Sequence, residues 1–581
     1  MKHFGSEIMK KLQNRFSRLY GEAQAERCMR RFEMIIGRYG VGEGYPRPAL
    51  PSTEKDVILI TYGDIVKSQG ERPLETLKRF ASQHLKDSFN TIHLLPFFPY
   101  SSDDGFSVTD YRTVNPLLGD WKDIEEISKD FKLMFDLVLN HVSRQSSWFA
   151  NYVGGVMPYL RYFIETDPNA DLSTVVRPRS NPLLTKVGMC DGERHLWTTF
   201  SDDQIDLNYG NPDVLFEFLD ILLYYISRGA SYLRLDAIAY LWKKIGTPCI
   251  HLDETHEIVK LMRNLIEIVE PGVRLVTETN VPSAENISYL GVGDEAHMIY
   301  QFPLPPLLLH ALHSGTSRYL NAWLMSLPEL PRGCSYLNFT ASHDGIGVRP
   351  LESLMPEEEI NRLLERITQR GGFVSKKKNS DGTESPYEMN IAYIDALMEP
   401  GSSGAAAGIS RFLCSQSIAM SLKGVPGIYF NSLVAARNDR DNVEKTGMAR
   451  AINRHKWEIK TLEHIISNKR TVHARVFKKY IKLLKIRSNH PAFSPEGKQT
   501  IMEISDVLFA LQRISPDGNE TIYCVSNLSG NDAYINAYSL IRDKAASPLE
   551  DIIGGTVFES SISKIRLEPY QTVWIKSQKN Q

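Results

Sequence analysis

The chain has 581 residues, 42% hydrophobic and 23% charged, with 67 Lys and Arg against 69 Asp and Glu for a net charge of -2. That length predicts several domains at about 150 residues each, and the balanced charge excludes a global attraction to nucleic acid or anionic membrane. Six cysteines lie far apart with no C-x-x-C pair, which excludes a zinc ribbon and argues against a disulfide scaffold.

The start, MKHFGSEIMKKLQNRFSRLY, has no apolar h-region of the secretory kind. Met9, Leu12, Phe16 and Leu19 repeat at helical spacing, as do Phe32, Ile35, Ile36 and Tyr39, before Gly40, Gly42, Gly44 and Pro46 break the pattern. Residues 1–50 are therefore expected to form a helical extension, either capping the main body or acting as a dimerisation arm. From residue 57, eight short apolar runs follow: 57–66, 91–98, 133–141, 231–238, 273–280, 297–302, 336–344 and 424–434. They are bounded by Gly, Pro, Asn or Asp, as strands buried on both faces are. Helix-like stretches such as 213–229 and 255–270 lie between most of them. Eightfold alternation predicts an α/β fold of the (β/α)8 TIM-barrel type.

The spacing is uneven. About ninety residues separate the third and fourth runs and about eighty the seventh and eighth, too long for simple βα units. The expected organisation is barrel over 51–141, 206–344 and 399–493, with inserted subdomains over 142–205 and 345–398. The second insertion contains a polar stretch, VSKKKNSDGTESPYE (374–388), that reads as a mobile loop. Period-two alternation after residue 495 predicts a C-terminal antiparallel β domain over 494–581.

Four runs end in a polar burst: Asn140 and His141, Arg234 and Asp236, Glu278, and His343 with Asp344. In a parallel barrel, functional side chains gather at these C-terminal strand ends. An unpaired buried carboxylate costs several kcal/mol, so packing alone would place Val or Leu there. A close carboxyl pair is what retaining glycosyl transfer requires, one attacking the anomeric carbon while the other protonates the leaving oxygen. Arg234, two residues before Asp236 on the same strand face, is expected to keep that carboxylate ionised as a nucleophile. Glu278 has no neighbouring cation in sequence and is expected to carry the raised pKa of a general acid.

The words DLVLNH, QIDLNYGNP, LRLDAIAY, VTETN and SHD, in this order, resemble the α-amylase superfamily (glycoside hydrolase family 13). HLLPFFPYSSDDGF, RPRSNPL, FPLPPLLLHAL, HDGIGV and ARNDRDNVEKTGMARAINRH narrow the likeness to its sucrose phosphorylase group, over roughly residues 55–580. The resemblance implies Asp236 as nucleophile, Glu278 as acid/base and Asp344 as transition-state stabiliser. It implies Asp104, His141, Phe200, Gln204, Arg234, His343 and Arg454 around the glucosyl unit. Arg179 would grip phosphate, its planar fork meeting two oxygens at once, with Tyr387 from the late loop. No cofactor and no metal is implied.

The departures from sucrose phosphorylases fall on the acceptor side. Thr279 and Asn280 follow the acid/base where Val-His is common, and Ser385, Pro386, Tyr387 and Glu388 stand where Asp-Leu-Tyr-Gln is common. Asn280, Tyr387 and Glu388 thus join Arg179 as expected phosphate or acceptor residues, with the basic residues Lys376, Lys377 and Lys378 just before them. The whole pattern resembles the glucosylglycerate phosphorylases of this group. It implies transfer of an α-glucosyl unit from glucosylglycerate to inorganic phosphate, giving α-D-glucose 1-phosphate and D-glycerate. Rival readings are phosphorylases of sucrose, sucrose 6′-phosphate or glucosylglycerol, a hydrolase or transglycosidase, and a non-catalytic binding barrel. The expected partners are small molecules, with no nucleic acid and no membrane, and a homodimer if the N-terminal arm pairs copies. The expected location is the cytoplasm.

Overall fold

A computed structural model describes the chain except residues 1–5, 41–46, 380–382, 400–404, 537–539, 541–547, 559–563 and 578–581. Eight parallel strands close a barrel: β1 (Ile58–Thr61), β2 (Thr91–Leu94), β3 (Lys132–Val138), β4 (Ala230–Asp236), β5 (Arg274–Thr277), β6 (Met298–Tyr300), β7 (Ser335–Phe339) and β8 (Val425–Tyr429). Each pairs with its neighbours in chain order, and β1 meets β8 to close the ring. Five lie within the apolar runs of the sequence, and β3, β4 and β7 each begin one residue before theirs. Buried on both faces, they carry residues such as Ile58, Leu59, Leu133 and Leu233 with no exposed surface.

Register places the chemistry. Asp136 on β3 lies beside Arg234 on β4, and Val138 lies beside Asp236. Arg234 in turn lies beside Val276 on β5, two residues before Glu278. The polar burst of one strand therefore faces that of the next at the same end of the barrel.

Two long segments leave that end. After β3, His141–Ser143 pairs antiparallel with Gln204–Asp206, and a hairpin of Leu184–Met189 with Gly192–Trp197 lies between them in sequence. After β7, Ile346–Gly347, Glu384–Asn390 and Phe373–Lys378 form a three-stranded antiparallel sheet. The stretch read as a mobile loop is thus mostly paired strand, its tip at 380–382 lying outside the described residues. Met389, fully buried, and Tyr387, nearly so, supply the apolar contacts that hold it. Among its lysines, Lys376 faces Glu384 at 3.5 Å and Lys377 faces Glu352 at 3.6 Å.

Helices Ser6–Tyr20 and Glu22–Ile35 precede the barrel. Their apolar stripe is used within the chain: Phe16 is fully buried, stacked on Phe216 of helix Pro212–Ser227 with centroids 6.0 Å apart. Arg15 reaches Glu257 at 2.9 Å and Asp294 at 3.3 Å. At the other terminus, Lys498–Ser505, Leu508–Ile514, Thr521–Asn527, Thr572–Ser577, Leu549–Asp551 and Thr556–Phe558 form an antiparallel sheet with its own apolar cluster around Val525 and Ile575. Among the described residues, no helix is long and apolar enough to cross a membrane.

Candidate active site

Asp236 is the last residue of β4, and the chain turns at once through Ala237, whose φ of 50° is left-handed. This turn aims the Ala237 N–H at Glu278 Oε2, 3.2 Å away. Arg234 Nη1 donates to Asp236 Oδ1 at 2.7 Å and also to Asp136, while Nη2 stands 3.8 Å from Glu278 Oε2. Asp136 is held on its other oxygen by His93 at 2.7 Å. A buried row, His93–Asp136–Arg234–Asp236, thus supports the floor of the site. The rings of Phe106 and Tyr300 flank the Arg234 guanidinium at 5.6 and 5.7 Å, which suits a cation withdrawn from water.

The cation expected to keep Asp236 ionised is in place, but it is shared with Asp136. Burial raises the Asp236 carboxyl well above its ordinary value; Arg234 opposes this, and the nearby Glu278, Asp136 and Asp344 add to it. Burial likewise raises Glu278, against the pull of Arg234. Both carboxyl groups are therefore shifted toward the protonated form, Asp236 the more strongly, and each feels the charge state of its neighbours. The expectation of an independently ionised Asp236 is corrected to that extent, because neighbouring carboxyls in a dry site cannot both ionise freely.

Asp344 behaves oppositely. Burial pushes it up, but Arg450, His343, Arg454 and Arg234 together hold it well below the carboxylate range. Arg450 Nη1 lies 2.6 Å from Asp344 Oδ1, and His343 Nε2 lies 3.3 Å from Oδ2. Burial lowers His343 to about 3, so its ring is neutral at working pH. Its Nδ1 is buried with no protein partner among the described residues. Asn280 Oδ1 is left in the same way, packed where a Cβ on Gly347 would come within 2.4 Å. Buried polar atoms without partners at a cavity wall are sites for ligand hydroxyls.

One cavity gathers these groups. Asp236, Glu278 and Asp344 line it with His141, Phe200, Gln204 and His343, and Arg179, Asn280, Tyr387 and Glu388 complete its wall. Asp104, Arg234 and Arg454 do not line it. Arg454 Nη1 is tied to Asp104 at 2.6 Å, and its Nε donates to the His343 carbonyl at 2.9 Å. Asp103 takes the wall position beside that pair. Asp103 and Asp104 both have left-handed backbones, with φ of 51° and 48°, which turns one side chain inward and the other to Arg454.

On the wall expected to meet phosphate or acceptor, Arg179 Nη1 stands 4.0 Å from Glu388 Oε2, with its guanidinium carbon 5.7 Å from the Tyr387 ring centre. Glu388 is more engaged than its sequence position suggested: Arg450 donates Nε to Oε2 at 3.0 Å and Nη2 to Oε1. Away from the cavity floor, the buried Lys243 ammonium lies 2.7 Å from Asn140 Oδ1 and 2.5 Å from Asp206. Among the described residues, no group of three His, Cys, Asp or Glu could hold a metal ion.

Sequence reasoning missed Asp136, Asp103, Phe106, Tyr240 and Arg450. Asp136 stood inside DLVLNH, where a carboxylate on an otherwise apolar strand was a legible signal. Arg450 lay in the same word as Arg454. Phe106 and Tyr240 had no such mark, because an aromatic near a strand end is more often core.

The family described as alpha amylase, catalytic domain, matches residues 83–329. The chain is 47% identical to glucosylglycerate phosphorylase of Spirochaeta thermophila over 84% of its length and 83% of that protein's. It is 45% identical to glucosylglycerate phosphorylase of Escherichia coli, covering 90% and 92% of the two chains. The crystal structure of sucrose 6F-phosphate phosphorylase from Thermoanaerobacter thermosaccharolyticum superposes with a TM-score of 0.71 at 27% identity, over 83% of this chain and 95% of that one.

Proposed function

The chain belongs to the glucosylglycerate phosphorylase family within the α-amylase superfamily, and on that premise we propose that it transfers a glucosyl unit from glucosylglycerate to inorganic phosphate. The products would be α-D-glucose 1-phosphate and D-glycerate, formed by double displacement. Asp236 attacks the anomeric carbon as a proton passes from Glu278 to the leaving glycerate oxygen. Phosphate then gives up a proton to Glu278 and attacks the glucosyl-Asp236 ester from the acceptor side. Two inversions return the original configuration.

The observation that carries this reading is the carboxyl pair. Asp236 ends β4 and Glu278 directly follows the neighbouring β5; Arg234 reaches both, and the Ala237 N–H donates to Glu278. Asp344, kept ionised by its cations, would face the positive charge that develops on the sugar. Arg179, with Tyr387 beside it, would receive phosphate and the glycerate carboxylate in turn. His141, Gln204, Phe200 and His343 would frame the glucose ring, with Arg454 and Asp104 bracing the wall from behind. All six cysteines are free, which suits a reducing compartment, and we place the enzyme in the cytoplasm.

Product analysis tests the reading. Glucosylglycerate with phosphate should give glucose 1-phosphate and glycerate, while sucrose, sucrose 6′-phosphate and glucosylglycerol give far less. Preference for one of those donors, or turnover independent of phosphate, overturns it.

A further inference from the structure

The reaction outlined above assigns nothing to Arg450, yet Arg450 makes the densest ion contacts in the cavity. Its side chain enters from the short helix Ala449–Asn453. Nε and Nη2 grip both oxygens of Glu388, and Nη1 lies 2.6 Å from Asp344 Oδ1. A guanidinium is planar, so two bonds to one carboxylate fix its plane and thereby where its third nitrogen stands. A lysine ammonium on the same stem would have no such fixed direction.

Glu388 is itself immobilised. Only 2% of its side chain is exposed. It lies on strand Glu384–Asn390, which pairs with Ile346–Gly347 directly after Asp344, and the Val348 N–H donates to the Tyr387 carbonyl at 2.9 Å. A Cβ on Gly345 would come within 2.9 Å of Glu388 Cβ and 2.8 Å of Asn390 Oδ1, so the backbone beside Asp344 is pressed against this strand. Packing alone would not place a partly buried arginine between the buried Glu388 and the partly buried Asp344, because withdrawing three charges from water is costly.

We propose that Arg450 is a positioning residue that holds Asp344 in register with the acceptor side, using Glu388 as its anchor. The strand bearing Tyr387 and the carboxylate facing the glucosyl unit thereby move as one body. The proposal rests on the reading of Asp344 as the group that stabilises the transition state. The groups facing Asp344 are Arg450 and the neutral His343 in contact, Arg454 and Arg234 behind, and the Asp236–Glu278 pair. Arg450 is foremost among the cations that counter the effect of burial, so its removal raises the pH at which Asp344 takes up a proton.

The test uses the full chain with α-glucosyl fluoride and water as acceptor, measuring kcat, KM and their pH dependence for Arg450→Gln, Arg450→Lys, Glu388→Gln and Asp344→Asn. Arg450→Gln should lower kcat roughly 100-fold with a much smaller change in KM, as misplacement of a reacting-centre group does. Its acid limb should move up by about one pH unit or more. Arg450→Lys should keep the acid limb near the wild-type position but lose kcat, because charge is kept and direction lost. Glu388→Gln should lower kcat in the same way. A folded Arg450→Gln with wild-type kcat and acid limb overturns the proposal. If Arg450→Gln does not fold, wild-type kcat in both Arg450→Lys and Glu388→Gln does so. An active Asp344→Asn overturns instead the underlying reading of Asp344, which an inactive one leaves standing whatever Arg450 does.

Discussion

The ring of Phe106 lies flat on that of His343, with centroids 4.7 Å apart and planes 4° from parallel. The same Phe106 accepts a hydrogen bond at its carbonyl from His141 Nε2 at 2.9 Å. One aromatic residue from the loop after β2 thus orders two histidines from the segments that follow β3 and β7. Both histidines are pushed toward the neutral form by burial.

That burial has a consequence for stability. His343 is neutral in the fold down to about pH 3, whereas an unfolded histidine protonates near 6.5. The unfolded state therefore binds more protons, and stability falls as pH drops below about 6.5 toward 3. Each pH unit in that window costs about 1.4 kcal/mol from such a group. His343→Gln, with no proton to gain, should show a shallower fall of Tm between pH 6 and pH 4 than the wild type. Parallel Tm profiles would show that His343 is protonated in the folded protein.

Asp236→Asn should remove nearly all glucosyl transfer while leaving Tm close to wild type, since the change is almost isosteric. Glu278→Gln should lose roughly 10²–10⁴-fold on glucosylglycerate, the usual worth of a general acid. It should lose much less on α-glucosyl fluoride, whose leaving group needs little protonation. Equal losses on both donors would assign the proton to another residue.

Arg179→Ala should weaken phosphate and glycerate alike, by about 1.5–3 kcal/mol or roughly ten- to a hundredfold, the cost of a lost charge-assisted contact. Hydrolysis needs no grip on an anion and should suffer less. The ratio of phosphorolysis to hydrolysis, measured at several phosphate concentrations, should therefore fall. A ratio held at the wild-type value would mean that Arg179 serves Glu388 and Tyr387 only.

Phe16 is fully buried between Phe32 and Phe216. Phe16→Ala should destabilise the protein by about 3–5 kcal/mol in denaturant unfolding, the range for deleting a core aromatic side chain. Ion contacts of Arg15 and Arg18 with Glu257 remain to hold the helix. Unchanged stability would show that the extension docks only weakly on the barrel.

The sequence alone determined the barrel, because eight apolar runs with polar ends can bury two faces and still present functional groups at one rim. It also marked Asp236, Glu278 and Asp344 as carboxylates at or beyond strand ends, which the structure brings to one cavity, because local pattern is what a sequence displays. Only the tertiary structure decided which of the named residues meet the cavity. Asp104 and Arg454, 350 residues apart, face each other behind its wall, and adjacent left-handed residues settle that Asp103 takes the inner place. Only the structure showed that Arg234 divides itself between Asp236 and Asp136, so that burial and the surrounding carboxyls, as well as one neighbouring cation, set the state of the floor. Tyr387 and Glu388 read as loop because polar neighbours mask a strand whose hairpin partner, Phe373–Lys378, is itself lysine-rich and hides the alternation. Charge balance in a dry cavity is a sum over groups brought together by folding, and no window of sequence contains that sum.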